Sequence, residues 1–425
     1  MHLHLEGSRQ PLSGEITVPP SKYHAHRALI LASLAPGVSR INGVCNARHV
    51  RYTISLLRKL GVRVAVDSSG YTVTGGTYVP AASSVSAGSS GTTLYFMLGL
   101  ACLASQPVAV TGQKYFQRRP VGPLLTALRS LGVSLEGDGL PVLVRPGRPT
   151  GGHVRIPGTL SQWVSGLILL APFATGPTVI EVSGPLNERP YVELTVSMMR
   201  QFGLSVSVSP DWRRFSVAPG QVAVPCTVTL PPDLGSAAFG IVASAIRPAD
   251  VTLHGLGSLT DHPEAAFLEV VRGMGVPLDA SSSAVRLRHD GVDLQPAVVD
   301  CRLVPDMLPV LSTLACFAGG ETVFENVSHV RLKESDRVVA MTQLNKMGGD
   351  LRMSGDRLVV RGVRSLTGTA LSSYNDHRVL MSLALAGSAA RGQTRLSYPN
   401  AYRISYPGFL GDMASLGMQI SVRRN

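Results

Sequence analysis

One unit recurs six times along this chain, and no other feature restricts its possible folds as strongly. Its marker is a helix end running into a glycine and then a strand: Leu60-Gly61-Val62, Leu131-Gly132-Val133, Phe202-Gly203-Leu204, Met274-Gly275-Val276, Met347-Gly348-Gly349 and Leu416-Gly417-Met418. The interval is about 70 residues throughout, a fixed period of the kind that dictates an architecture. Amphipathic stretches precede the markers, with apolar residues at i, i+3, i+4 and i+7, as in Ile54–Leu57, Leu124–Leu128, Leu194–Met198 and Phe267–Val271. Glycine stops such a helix because it adopts the left-handed C′ conformation without a Cβ penalty. Halfway through each period a loop opens a second helix, rich in small and apolar residues, which runs into a turn and a β-rich strand. These copies cover 21–43, 89–112, 159–184, 233–255, 305–327 and 375–398. Runs such as Ala28-Leu29-Ile30-Leu31-Ala32 and Met381-Ser382-Leu383-Ala384-Leu385-Ala386 are apolar nearly all round, which predicts burial. Each unit therefore reads as β-α-β-α-β-(β), with one buried helix and one exposed helix that carries Arg and Lys.

A chain of 425 residues can bury two sizeable cores. No apolar run is long enough to predict a membrane span. Met1-His2-Leu3-His4-Leu5-Glu6 lacks the charged start and apolar core of a signal peptide. The cysteines (Cys45, Cys102, Cys226, Cys301, Cys316) follow no metal-ligand spacing, which predicts reduced, packed thiols in a cytoplasmic protein. A net charge of +12 would suit a nucleic-acid partner. Yet the basic residues form no tails or runs, and no aromatic residues interleave with them for base stacking. Two readings stay open: scattered surface charge, or an electropositive cleft for anionic small molecules, reinforced by helix N-termini.

The loops that open the buried helices carry a second pattern. They read Ser21-Lys22-x-x-x-His26-Arg27-Ala28-Leu29, Gly88-Ser89-Ser90-Gly91-Thr92, Arg119-Pro120, Pro305-Asp306, Arg331-Leu332-Lys333-Glu334-Ser335-Asp336-Arg337 and Tyr374-Asn375-Asp376-His377-Arg378. In this order, over essentially the whole chain, they resemble the signatures of the 5-enolpyruvylshikimate-3-phosphate (EPSP) synthase family, the 3-phosphoshikimate 1-carboxyvinyltransferases. The resemblance implies a two-domain inside-out α/β barrel of six βαβαββ repeats that closes over its substrates. One lobe would span residues 21–231, and residues 1–20 plus 232–425 would form the other. The proline pairs Pro19-Pro20 and Pro231-Pro232 suit two stiff hinge strands.

Moving an enolpyruvyl group from phosphoenolpyruvate to an alcohol makes definite demands. The enol methylene must be protonated, the alcohol deprotonated, a tetrahedral adduct stabilised and phosphate expelled. Cations must hold a phosphate and a carboxylate together, which bidentate arginine does best, and an acid and a base must flank the reacting carbon. The resemblance implies Asp306 as the base facing the acceptor hydroxyl, Glu334 as the acid near the methylene, and Lys22 as a proton relay touching both substrates. It implies Lys22, Gly91, Arg119, Gln162, Arg337 and Arg378 around phosphoenolpyruvate, with Gly91 giving side-chain-free approach. The acceptor would meet Tyr23, Arg27, Ser161, Gln162, Glu188, Asp306, His329 and Lys333. No cofactor and no metal is implied. The partners would be two small molecules, with neither nucleic acid nor membrane, and the protein would act as a monomer in the shikimate pathway of aromatic amino acid biosynthesis. Taken alone, Lys333 to Arg337 could equally be a surface lattice of i,i+3 and i,i+4 ion pairs.

The departures from the family pattern gather on the acceptor side. Tyr23 and His26 replace a serine and an asparagine, and Tyr95 stands at an arginine position. Leu160-Ser161-Gln162 replaces Ser-Ser-Gln, and Glu188 falls where a phosphate-binding serine is expected. His329 replaces an asparagine, and Ile404, with Arg403 beside it, replaces a late lysine. A carboxylate beside a dianionic phosphate is repelled. Either Glu188 points away or the register slips by a residue, or the acceptor carries no phosphate there. Three functions therefore stay open: shikimate 3-phosphate as acceptor, a different and unphosphorylated alcohol in a specialised pathway, or a non-catalytic anion-binding relative. Residues 113–118 contain no cysteine, against the sister activity on UDP-N-acetylglucosamine. His24 and His26 lack a third ligand at useful spacing for a metal. Asp376 suits a helix N-cap beside a packed His377.

Overall fold

The computed structural model describes residues 1–424 other than 114, 115, 117, 118 and 258–261. Its described helices alternate in kind along the chain. They are α1 (Lys22–Leu34), α2 (Arg48–Lys59), α3 (Gly91–Leu100), α4 (Gly122–Ser130), α5 (Ser161–Leu170), α6 (Arg189–Gln201), α7 (Leu234–Ala245), α8 (Ala266–Gly273), α9 (Leu308–Ala315), α10 (Arg337–Met341), α11 (His377–Ala389) and α12 (Phe409–Ser415). The odd-numbered helices are the small-residue ones, and they are core. Every residue of α1 but His24 is buried, and α7 is buried throughout. Truncating any one of their leucines or isoleucines to alanine would cost about 2–5 kcal/mol. The even-numbered helices bury one face only. In α2 that face is Val50, Thr53, Ile54, Leu56 and Leu57, while Arg51, Arg58 and Lys59 stay exposed.

The six marker glycines have φ of +89° (Gly61), +85° (Gly132), +74° (Gly203), +87° (Gly275), +90° (Gly348) and +97° (Gly417), the left-handed stop predicted from the repeat. The fifth copy differs in its helix. After α10 the chain continues as a 3₁₀ segment, Thr342–Met347, before Gly348.

Each repeat builds a four-stranded sheet in one spatial order. In the second copy the strands Ser84–Ser86 and Val108–Thr111 lie parallel across α3, with Val85 opposite Val110. The hairpin Leu135–Glu136 and Val142–Val144 then closes antiparallel, its later strand next to Val108–Thr111. Strands alternate buried and exposed residues, as with Val154, Arg155, Ile156 and Pro157 in the strand Gly152–Pro157. The sheets therefore present one face to solvent and the other to the buried helices, which is the inside-out arrangement.

Three strands are borrowed from a distance. Thr227–Thr229 supplies the first strand of the first repeat, with Val228 opposite Ile41. Leu12–Thr17 supplies that of the fourth, with Gly14 opposite Val251. His2–Glu6 completes the sixth, antiparallel between Gln393–Leu396 and Gln419–Arg423. Residues 1–19 thus complete two sheets rather than one.

The chain divides into two compact units, residues 20–231 and residues 1–19 with 232–425. The proline pairs lie outside the named strands. In the first unit Ser21 N–H donates to Pro231 O at 2.7 Å, and in the second Asp233 N–H donates to Pro19 O at 2.8 Å. No described helix is long and apolar enough to cross a membrane.

Candidate active site

Several of the motif residues sit on the first turns of the buried helices, where their loops end, while Arg119, Lys333 and Glu334 lie on loops and Arg337 opens α10. In the unit of residues 20–231, Lys22, Gly91 and Ser161 are the first residues of α1, α3 and α5. Gly91 lies against the Arg119 guanidinium and the Gln162 amide. A Cβ there would overlap Arg119 Nη1 and stand 3.4 Å from Gln162 Oε1. Gln162 Nε2 donates to Thr92 Oγ1 at 3.0 Å, joining the first turns of α3 and α5. Arg119 is buried, with its guanidinium carbon 5.1 Å from the Phe116 ring centroid. Thus Gly91, Arg119 and Gln162 meet. Lys22 is buried, with Nζ 4.7 Å from the Tyr23 ring centroid. The cysteine-free stretch 113–118 is only partly visible, since Lys114, Tyr115, Gln117 and Arg118 lie outside the described residues.

Arg27 binds the protein itself. Its Nε donates to Thr195 Oγ1 at 2.8 Å, Nη2 to Tyr191 O at 2.9 Å and Nη1 to Tyr23 O at 3.1 Å. Burial lowers its pKa to about 10, which leaves it charged at neutral pH. The Tyr23 and Tyr191 rings meet edge-on at 5.1 Å. Tyr95, at the expected arginine position, donates its hydroxyl to Pro120 O at 3.3 Å and packs edge-on to Trp163.

Glu188 does not point away. It is buried, at φ +60° in the left-handed region, and sits at the N-cap position of α6. Its Oε2 accepts from Ser161 Oγ–H at 2.6 Å and from Ser161 N–H at 3.3 Å. Leu160 makes no side-chain cap for α5. Glu188 therefore supplies the negative charge that this helix N-terminus favours.

The histidines near Lys22 are engaged in hydrogen bonds. His26 Nδ1 pairs with Thr53 Oγ1 at 2.7 Å, opening a chain through Thr93 to Ser90. His24 Nδ1 pairs with Ser21 Oγ at 3.0 Å. Burial, then the charges of His49, Lys22 and Arg27, hold the His26 pKa well below its ordinary value.

In the unit of residues 1–19 and 232–425 the predicted residues converge on Arg337. Its Nη1 meets Asp306 Oδ1 at 2.8 Å, Nη2 meets Glu334 Oε2 at 2.8 Å and Nε meets Asp376 Oδ2 at 2.9 Å. Burial opposes the charged guanidinium, but the three carboxylates outweigh it and raise its pKa. Arg378 Nη2 lies 3.4 Å from Asp306 Oδ2, and Lys333 Nζ lies 4.0 Å from Asp306 Oδ1. Asp306 itself enters α9 on a 3₁₀ turn, Pro305–Met307. The Arg331–Arg337 stretch does both things its sequence allowed. Arg331 pairs outward with Asp336 at 2.8 Å, while Glu334 and Arg337 pair inward. His329 is buried on the 3₁₀ segment Ser328–Leu332 that leads to Lys333. Arg403 lies exposed along the Tyr402 ring, beside a buried Ile404.

Asp376 caps α11, accepting from Arg378 N–H at 2.8 Å, and it is also a partner of Arg337, which its sequence context did not reveal. Sequence reasoning also missed Thr195, Tyr191 and Thr92, which serve as partners of motif residues. It missed Glu264 altogether, a fully buried carboxylate 3.6 Å from Arg378 Nη2. No motif marks it. Among the described residues no group of three or more His, Cys, Asp or Glu side chains is placed to hold a metal ion.

The model of the family described as EPSP synthase (3-phosphoshikimate 1-carboxyvinyltransferase) matches residues 7–413. The 3-phosphoshikimate 1-carboxyvinyltransferase of Methanopyrus kandleri is 37% identical over 428 residues, covering 98% of each chain. That of Methanocaldococcus jannaschii is 33% identical over 432 residues, covering 100% of each. Among solved structures, the EPSP synthase of Acinetobacter baumannii gives a TM-score of 0.80 at 25% identity, covering 99% of this chain and 100% of that one. The enolpyruvyl transferase NikO of Streptomyces tendae gives 0.81 at 20% identity, covering 99% and 98%, a likeness of fold.

Proposed function

The chain belongs to the EPSP synthase (3-phosphoshikimate 1-carboxyvinyltransferase) family, and we propose that it transfers the enolpyruvyl group of phosphoenolpyruvate to a hydroxyl of shikimate 3-phosphate or a close analogue, releasing phosphate. The acceptor oxygen loses its proton to Asp306 and bonds to the enol carbon, while the methylene takes a proton from Glu334. The resulting tetrahedral adduct then returns a methyl proton to Glu334 and expels phosphate, leaving the enol ether. Arg119, Arg337 and Arg378 neutralise the phosphate and carboxylate of phosphoenolpyruvate. Gly91 lets the ligand approach the backbone, Gln162 lies between the ligands, and Lys22 relays protons. Tyr23, Arg27, Ser161, Glu188, His329 and Lys333 shape the acceptor's surroundings. The enzyme acts as a cytoplasmic monomer in the route to aromatic amino acids, a location supported by its cysteines, four of the five being buried.

One observation carries the reading: Asp306 and Glu334 share a single buried arginine at 2.8 Å each. A base and an acid that act on one substrate must lie within reach of one place, and the shared arginine brings these two carboxylates together. The Glu188–Ser161 hydrogen bond favours a second reading, in which the acceptor has no phosphate at the N-terminus of α5. The test is phosphate release by the purified protein with phosphoenolpyruvate and either shikimate 3-phosphate or shikimate. Release with the phosphorylated compound supports the first reading, and release with shikimate alone supports the second. No release with either overturns a shikimate-type acceptor, and no release across other candidate alcohols overturns the function.

A further inference from the structure

Glu264 is a buried carboxylate that the proposed chemistry does not use. It follows Pro263, just before α8, and its side chain turns inward to the first turn of α7. Its Oε1 lies 3.6 Å from Arg378 Nη2, the same nitrogen that lies 3.4 Å from Asp306 Oδ2. The guanidinium tip is therefore drawn by two carboxylates from different elements. Arg337 is held quite differently, by three contacts of 2.8–2.9 Å.

Two neighbours fix the Glu264 geometry. Its backbone N–H donates to His262 Nδ1 at 3.2 Å. Burial, then the Arg378 charge, bring the His262 pKa down to about 3, so that ring stays a neutral acceptor at any working pH. Opposite, the chain leaves α7 bare at Gly235. A Cβ there would stand 2.7 Å from Glu264 Oε2, 2.8 Å from Arg378 Nη2 and 2.9 Å from Asp233 Oδ1. Only glycine gives both side-chain tips this place beside the helix. Taking a carboxylate out of water costs several kcal/mol unless a cation and hydrogen bonds offset it. Among the described residues Arg378 is a cation in reach.

We propose that Glu264 is the positioning residue of Arg378, holding its guanidinium at the first turn of α7 and off a full ion pair with Asp306, where it is set to receive phosphoenolpyruvate. This rests on the assignment of Arg378 to that ligand. Without the Glu264 charge, Arg378 moves onto Asp306. That both withdraws it from the ligand and ties down the base.

The test is Glu264→Gln, which keeps shape and hydrogen bonding, beside Glu264→Asp and Gly235→Ala. The KM for phosphoenolpyruvate should rise about tenfold in Glu264→Gln, the usual scale for losing one charge-assisted contact, with the acceptor KM within about threefold. Glu264→Asp should recover part of the loss. Gly235→Ala should repeat it from the other side. A purely structural role would lower kcat and melting temperature together and leave the KM alone, overturning the proposal, as would an unchanged or lower KM in Glu264→Gln. Crystals of Glu264→Gln read the same point without turnover, since Arg378 Nη2 should close from 3.4 Å to hydrogen-bond distance of Asp306 Oδ2. An unmoved Arg378 overturns the proposal. A wild-type protein inactive with phosphoenolpyruvate would instead overturn the proposed function, and the crystal would still decide the positioning.

Discussion

Gly91→Ala separates binding from folding more cleanly than any other single change. The residue opens α3, and its φ is not among the positive ones, so alanine fits the backbone. What alanine meets is a side chain: Arg119 Nη1 would lie well inside contact distance and Cζ only 3.5 Å away. The guanidinium is the far end of a flexible chain and can retreat by about 1 Å, at about 0.5–1.5 kcal/mol if it leaves its rotamer. Alanine returns up to about 1 kcal/mol of helix propensity over glycine. The two roughly cancel, so the melting temperature should hold. Function should not, because a shift of about 1 Å in a positioning group costs up to about 10²-fold. Steady-state phosphate release should show the KM for phosphoenolpyruvate raised ten- to a hundredfold, with the acceptor KM little changed. An unchanged KM for phosphoenolpyruvate would refute the idea that Arg119, as placed beside Gly91, holds this ligand.

Three further outcomes follow from other parts of the molecule. Asp306→Asn and Glu334→Gln should each lower kcat by about 10²–10⁴-fold while the protein still melts cooperatively; near-normal turnover in either would assign its role to another group. Leu160→Ser with Glu188→Ser removes a buried carboxylate from the N-terminus of α5 and adds hydroxyls, so calorimetry should show tighter binding of shikimate 3-phosphate, and unchanged affinity would mean that Glu188 does not face that phosphate. His26 and His262 stay neutral in the fold, held well below the ordinary value and at about 3 respectively. Below the unfolded value of about 6.5 the unfolded chain therefore binds protons that the folded chain refuses, and stability falls as pH falls, by up to about 1.4 kcal/mol per pH unit for each. Urea titrations at pH 7 and pH 5 measure the slope, and His262→Gln should flatten it.

The periodic part of this structure was legible because it is local. A helix stop needs one glycine at one place, and all six markers proved left-handed. The contrast between buried and exposed helices follows from composition within a dozen residues. The first turns of the buried helices were legible as candidate sites for the same reason, since motif and helix start are contiguous. Pairings across long separations left no trace. Nothing local in Thr227–Thr229 says that it lies beside Gly37–Asn42, nor in Leu12–Thr17 that it lies beside Ala249–His254. Glu264 was invisible for a related reason: a carboxylate in a loop looks solvated until the arginine more than a hundred residues later is placed against it. Asp376 was read correctly as a cap, and its second role went unseen because Arg337 reaches it from another repeat.

Charge is where composition most misleads. A surplus of +12 suggests bare cations waiting for anions. Much of the basic surface is instead ordinary pairing, such as Arg286 with Asp250 and Arg352 with Asp350. Around Asp306 the balance even reverses. Arg337, Arg378 and Lys333 face Asp306, Glu334, Asp376 and Glu264. Among the described residues these cations already face carboxylates, so an anionic ligand binding there would have to displace them. Such an exchange costs little when the resident pair is loose and much when it is tight, because breaking a well-made buried pair costs about 3–5 kcal/mol. Arg337, with three contacts under 3 Å, is held firmly between Asp306, Glu334 and Asp376. Arg378 lies farther from its described carboxylates, 3.4 Å from Asp306 and 3.6 Å from Glu264. At α5 the same logic runs the other way. Glu188 grips Ser161 at 2.6 Å, so an acceptor phosphate would have to displace a strong hydrogen bond and overcome like charge to bind there. On the proposed site, selectivity between anions would depend on how firmly each resident carboxylate is held as well as on the arginines.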